Sequence, residues 1–406
     1  MSEFRVPEGW IQTTLGENLQ IDTGSKNAED SKADGAYPFF TRAEETQKID
    51  TYSYDTEALF IAGEGNFRVK YYNGKFEVHQ RTYILRKKTN EIDLQFLQKA
   101  IQPQIYKLIS TSVGSTVKSL RKPQIAEIGI LIPKSNKEQK KIAEILSEVD
   151  NAITLTKELI EKNKRLKTAL MQDLLSYGID ENGQIRTPQT HKFKPSPLGD
   201  IPVEWESKEL IDITSLIKDG THGTHKDVDG GIPLLSAKDI KNGKILIKND
   251  SRKISKNDFN QIHKNYQIEQ NDILISIVGT IGEVAIVKNQ EKFTLQRSVA
   301  IIRFKKLIPK FIYYSLIDKS FYNQLLNSVN ASAQGGIYLG ALSKCYLKFP
   351  KSKTEQQKIA DILSSQDEKI EKLKNKLTKL NHLKTSLMQD LLSGEVRVNK
   401  LLESKQ

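Results

Sequence analysis

The stretch from Glu138 to Ser176, EQKKIAEILSEVDNAITLTKELIEKNKRLKTALMQDLLS, constrains this chain most, because it is written again from Glu355 to Ser393 as EQQKIADILSSQDEKIEKLKNKLTKLNHLKTSLMQDLLS. The copies align without a gap at an offset of 217, Glu355 answering Glu138, and more than half of the positions are identical. That spacing is far longer than the roughly 20 to 50 residues of solenoid repeats. The chain is therefore two large halves, each a non-repeated block followed by a shared helical tail.

Within the first copy Leu146, Val149, Ile153, Thr156, Ile160, Asn163, Lys167, Leu170 and Leu174 follow alternating steps of three and four. Leu363, Gln366, Ile370, Leu373, Leu377, Leu380, Lys384, Leu387 and Leu391 do the same in the second. A 3.5-residue period is the seam of a coiled coil. Neither helix can bury such a stripe alone, so the pattern predicts that the two pack on each other; the alternative is that each packs on its own block. If each half keeps its geometry, a local two-fold makes the helices antiparallel. Asn163 and Gln366 interrupt the seam, as register devices do, or as places where a partner or water meets the pair.

The blocks share a grammar. Pro7-Glu8-Gly9-Trp10 is answered by Pro202-Val203-Glu204-Trp205, and Gln80-Arg81-Thr82 by Gln296-Arg297-Ser298. A proline-ended segment delivers each block into its helix, at Pro133 and Pro350. In the first block Ala58 to Ala62 reads as a strand, Asn73-Gly74 as a type I′ hairpin turn between Val69–Tyr72 and Lys75–Val78, and Asp93 to Ile109 as a helix. The expected fold class is α+β: two homologous domains separated by two long helices in an antiparallel coiled coil, pseudo-two-fold symmetric. The boundaries fall at 1–134 and 197–351 for the blocks, 135–177 and 352–406 for the helical spacers, and 178–196 for a Gly- and Pro-containing linker.

With 406 residues, 37% hydrophobic and 28% charged, the chain can build two or more cores. No apolar run approaches the roughly 18 to 20 residues of a membrane span, and the N-terminus has no signal-peptide pattern, so the cytoplasm is the expected compartment. Cys345 is the single cysteine, which excludes an intrachain disulfide and a Cys-based zinc site. A net charge of +12 suggests a polyanionic partner, nucleic acid being the simplest; solubility alone is the bland alternative.

Candidate chemistry is sparse. Phe60-Ile61-Ala62-Gly63-Glu64-Gly65-Asn66 resembles a cofactor loop, but the residues after it are strand-like, so a hairpin bend is the better reading. His222 and His225 lack nearby third and fourth ligands for zinc, and no metal and no catalytic residue is assigned. Basic and hydroxyl residues instead gather in the loops of both blocks. In the first they are Lys32, Arg42, Arg68, Lys70, Lys75, Arg81, Ser115, Thr116, Lys118 and Arg121. In the second they are His222, Thr224, His225, Lys226, Ser236, Lys238, Lys241, Arg297 and Lys344. Arg and Lys can reach base edges while Ser, Thr and Lys hold phosphates, so these are the candidate DNA-binding residues.

The paired EQxKIAxIL segments at Glu138 and Glu355, the paired LKTxLMQDLLS segments at Leu166 and Leu383, Pro-x-x-Trp, and Asp219-Gly220-Thr221-His222 resemble the DNA-specificity subunit of type I restriction-modification systems over essentially the whole chain. The resemblance implies a non-catalytic subunit with two target-recognition domains, each reading half of an asymmetric bipartite site in double-stranded DNA. The helix pair would set the spacer. Partners would be two modification subunits using S-adenosylmethionine to methylate adenine, and restriction subunits carrying ATP, Mg and the nuclease. The competing readings are a self-contained DNA-modifying enzyme and a coiled-coil scaffold with no DNA role.

Overall fold

The computed structural model describes residues 6–111, 119–288, 292–330, 335–399 and 401. Two compact units emerge, Met1–Glu158 with Lys374–Gln406, and Leu159–Leu373. The duplicated stretches form two continuous helices, Asn136–Leu174 and Lys353–Ser393, of 39 and 41 residues, or roughly 58 and 62 Å at about 1.5 Å per residue. Both contribute to both units, which is how a repeated sequence can yield units not contiguous in the chain.

In the first unit the strand Trp10–Thr14 pairs antiparallel with Gly129–Pro133, joining the start of the block to the strand that enters the long helix. A six-stranded sheet follows in the spatial order Leu19–Thr23, Thr82–Lys87, Tyr54–Ala62, Lys70–Val78, Tyr37–Phe40, Gln47–Ile49. Its pairs are antiparallel except Tyr37–Phe40 against Lys70–Val78. The helix Leu94–Thr111 buries Leu94, Leu97, Ile101 and Ile105 at the predicted helical spacing. Its core is continuous with Ile142 and Leu146 of the first long helix and Leu387 and Leu391 of the second.

The predicted Asn73-Gly74 hairpin is overturned. Both residues lie inside the strand Lys70–Val78, Asn73 opposite Glu57 and Gly74 opposite Thr56. The bend connecting that strand to Tyr54–Ala62 is the glycine-containing stretch 63–69, the segment read as a bend rather than a cofactor loop. Seven cross-strand pairs with the neighbouring strand outweigh a two-residue turn preference.

The second unit repeats the plan with shorter strands. Trp205–Glu209 pairs with Tyr346–Pro350. A four-stranded antiparallel sheet runs Thr214–Asp219, Val299–Phe304, Ile273–Ser276, Val284–Ile286. Ile232–Leu235 pairs in parallel with Thr294–Leu295, as Tyr37–Phe40 does with Lys70–Val78. The linker expected at 178–196 is packed here. Ile179 is buried, the strand Phe193–Lys194 pairs with Ile201–Pro202, and Arg186 is 6% exposed.

Arg186 enters an ion pair with Glu355, the first residue of the second repeat. Arg186 Nη1 and Nη2 donate to Glu355 Oε1 and Oε2 at 2.5 and 3.1 Å. Trp205 Nε1 and the Ile179 amide donate to the same Oε1 at 3.0 and 3.1 Å. The first unit builds the matching latch: Glu138, the first residue of the first repeat, accepts Arg397 Nε and Nη2 at 2.7 and 2.8 Å. In each case the arginine follows one long helix and the glutamate opens the other.

Within each unit the beginning of one long helix runs beside the end of the other, so the pair is antiparallel. Asp150 bridges Lys384 at 2.6 Å in the first unit, and Lys167 bridges Asp367 at 2.6 Å in the second. These are one ion pair written twice, since Asp367 and Lys384 stand 217 residues after Asp150 and Lys167. The seam positions Leu146, Val149, Ile153, Ile160, Leu174, Leu363, Ile370 and Leu391 are buried, and Leu170, Leu373, Leu377 and Leu387 are half-buried. Asn163 and Gln366 meet: Gln366 Nε2 donates to Asn163 O and Oδ1, both at 3.0 Å. This polar layer is satisfied inside the second unit, and the equivalent positions in the first unit are Val149 and Leu380.

Candidate nucleic-acid interface

In the first unit Gly24 follows the edge strand Leu19–Thr23 and is pressed onto the backbone of the parallel strand pair. A Cβ there would lie 1.9 Å from Val78 O, so no other residue fits. The glycine lets the chain clasp the turn 79–82. Gly24 N donates to Thr82 O, Gln80 N to Lys26 O, His79 N to Phe40 O, and Thr82 N to His79 O, at 2.9 to 3.3 Å. Gln80 and Arg81 are left exposed at the tip.

The second unit repeats the clasp bond for bond. A Cβ on Gly220 would lie 2.0 Å from Leu295 O. Gly220 N donates to Val299 O, Arg297 N to Thr221 O, Gln296 N to Leu235 O, and Val299 N to Gln296 O, at 2.8 to 3.1 Å. These bonds correct the sequence alignment of the two turns by one residue. Arg297 is equivalent to Gln80 and Ser298 to Arg81, the offset of 217 that also relates the long helices.

Cations surround the first turn. Glu64 accepts Arg81 Nη1 at 2.5 Å and lies 3.8 Å from Arg42 Nη1. Lys70 Nζ donates to Ala43 O at 2.9 Å, and burial with nearby Arg68 pushes its pKa down. His79 Nδ1 accepts the Arg81 amide at 3.0 Å, and burial, then Arg42 and Arg81, hold the imidazole below its ordinary pKa. Arg42, Arg68, Lys70 and Arg81 thus share one neighbourhood. Lys32 and Lys75 do not join it: Lys32 pairs with Asp50, and Lys75 sits 4.7 Å over the Tyr52 ring. Arg121 is exposed at the start of the helix Lys122–Ala126. Ser115, Thr116 and Lys118 lie outside the described residues.

In the second unit the loop beside the turn is organised by its histidines. His222 Nε2 lies 2.6 Å from Asp219 Oδ2. His225 stands between Thr221 Oγ1, 2.9 Å from Nε2, and Asp258 Oδ1, 3.3 Å from Nδ1. Three ring nitrogens are therefore spent on protein partners, and among the described residues no group of three or more His, Cys, Asp or Glu could hold a metal ion. Thr224 and Lys226 are exposed in the same loop. Ser236 opens a short turn through Asp239, and Ala237 N donates to Ser298 Oγ at 3.1 Å, which brings exposed Lys238 next to the Arg297 turn. Lys241 belongs instead to the hairpin of Ile240–Lys241 with Lys244–Ile245, and Lys344 ends the helix Leu339–Ser343.

Sequence reasoning missed Lys26, Gln80, Glu64 and Arg252, whose guanidinium donates to His225 O. The two glycines that follow a strand and the repeated Gln-Arg pair were the available signals; Arg252 carried none.

The family described as Type I restriction modification DNA specificity domain matches residues 7–165 and 202–382. The type I restriction enzyme MjaVIII specificity subunit of Methanocaldococcus jannaschii is 26% identical over 426 aligned positions, covering 99% of this chain and 96% of the relative. The EcoDI specificity subunit of Escherichia coli is 34% identical over 185 residues, which spans 46% of this chain and 40% of that protein. The crystal structure of the type I restriction-modification S subunit from M. genitalium matches with a TM-score of 0.64 at 19% identity, covering 97% of this chain and 98% of that one, a likeness of fold.

Proposed function

Since the chain belongs to the type I restriction-modification DNA specificity family, we propose that its two units each read one half of a bipartite, asymmetric duplex site and deliver partner subunits to it. The observation that carries this is the clasped turn, built by the same backbone bonds in both units and set among cations in each, while the side chains it displays differ. A shared scaffold with unlike reading heads is what an asymmetric site requires. Lysine and arginine contacts to phosphates would supply most of the affinity. Base-edge contacts of about 1 to 3 kcal/mol each would supply the discrimination.

The chain contributes recognition, and the chemistry belongs to its partners. Two modification subunits would bring S-adenosylmethionine and methylate adenine, and restriction subunits would bring ATP, Mg and the nuclease. The helix pair is the docking and spacing element. Mapping methylated adenines in DNA exposed to the assembled complex tests this: a two-part motif with unlike halves is expected, and a single contiguous or symmetric motif would overturn it.

A further inference from the structure

We propose that the clasped turn is the base-reading element of each unit, with Arg297 recognising a guanine in one half-site and Gln80, at the equivalent position, recognising an adenine in the other. This rests on the reading of the chain as a DNA-specificity subunit. Two observations point to both residues, and a third to Arg297. Their backbone positions are fixed by matching bonds, 3.1 Å from Arg297 N to Thr221 O and 2.9 Å from Gln80 N to Lys26 O, so each side chain leaves a rigid platform. Both are at or near the tip of the turn, with Gln80 and Arg297 exposed and their turn neighbours His79 and Gln296 more enclosed. Among the described residues no hydrogen bond or ion pair engages the Arg297 side chain, whereas three of the cations around the two turns are already occupied: Arg81 with Glu64, Lys70 with Ala43 O, Arg252 with His225 O.

Chemistry then assigns the bases. A guanidinium presents two parallel donors that match guanine O6 and N7, and a carboxamide presents one donor and one acceptor that match adenine N6 and N7. In the first unit Gln80 Nε2 donates to Asn27 Oδ1 at 2.6 Å, which fixes the amide plane and orients its oxygen. Arg81, neutralised by Glu64, is cast as a support of the turn and not as a reader.

The test uses the full chain assembled with its modification subunits and a library of randomised DNA duplexes, from which bound sequences are selected and relative affinities measured. Arg297→Ala should lose preference for guanine at one position of one half-site, by about 5- to 150-fold, and leave the other half-site unchanged. Arg297→Gln should move that preference toward adenine, and Gln80→Arg should move the other half-site toward guanine. Arg297→Lys, which keeps the charge without the planar fork, should retain affinity within a few-fold and weaken the discrimination. Unchanged motifs in all four variants would overturn the assignment, as would a uniform loss of affinity on every sequence, the mark of a phosphate contact. If the unaltered complex selects no motif at all, the DNA-specificity reading itself fails, and the assignment with it.

Discussion

Replacing Glu355 by glutamine should be among the most damaging conservative changes available to the second unit. The Glu355 and Arg186 side chains are only 8% and 7% exposed, and the carboxylate collects four donors from Arg186, Trp205 and Ile179. The amide keeps the volume and removes the charge, so buried Arg186 loses its close partner and keeps Glu204, 3.8 Å from Nε and itself half exposed. Breaking one side of a buried pair costs about 3 to 5 kcal/mol, which in a unit of this size lowers Tm by roughly 6 to 20 °C. Arg186→Met alone should cost a similar amount, and Arg186→Met with Glu355→Gln less than the sum, since no uncompensated charge then remains. Differential scanning calorimetry of the full chain reads this directly. The first unit supplies an internal comparison: the Arg397 side chain is 31% exposed, so water can solvate the guanidinium that loss of Glu138 leaves behind, whereas Arg186 is 7% exposed. Glu138→Gln should therefore shift Tm less than Glu355→Gln. A Tm for Glu355→Gln within 2 °C of the parent, a margin of about 1 kcal/mol, would refute the reasoning that the latch holds the second unit together.

The two tryptophans offer a second contrast: Trp205 Nε1 donates to Glu355, whereas buried Trp10 Nε1 has no hydrogen-bond partner among the described residues. Trp205→Phe should cost more than Trp10→Phe by about 1.5 to 3 kcal/mol, measured by denaturant unfolding. His79 and His263 both have pKa values held below the ordinary value of 6.5, burial being the largest cause. The unfolded chain binds more protons there, so stability from these groups is complete above pH about 6.5 and declines as pH falls through the folded-state pKa. His79→Asn, which keeps an acceptor for the Arg81 amide, should flatten the acid side of the Tm–pH curve, and an unchanged slope would count against the assignment. Finally, duplex affinity of the assembled complex should fall steeply and linearly on a plot of log affinity against log salt, with a flat line excluding phosphate contacts.

The long helices were legible because a repeat and a 3.5-residue period are properties of many residues at once. The strand Tyr54–Ala62 and the helix Leu94–Thr111 were legible for the same reason. What sequence hid were features carried by single residues. Arg186 sits in a polar, proline-containing stretch that looks like a tether, and only the geometry shows it reaching Glu355. Asn73-Gly74 has the letters of a turn but is held extended by its neighbour. The two Gln-Arg pairs invite alignment letter on letter, yet the backbone bonds place Arg297 over Gln80. Asn163 and Gln366 looked like separate interruptions until an antiparallel register brought them together.

Exchanging residues 1–134 for the first domain of another family member, then mapping methylated adenines, tests most directly whether the two units read DNA independently. One half-site should change to that of the donor while the other half-site stays as it was. Alteration of both halves, or of neither, would contradict a modular pair of reading heads.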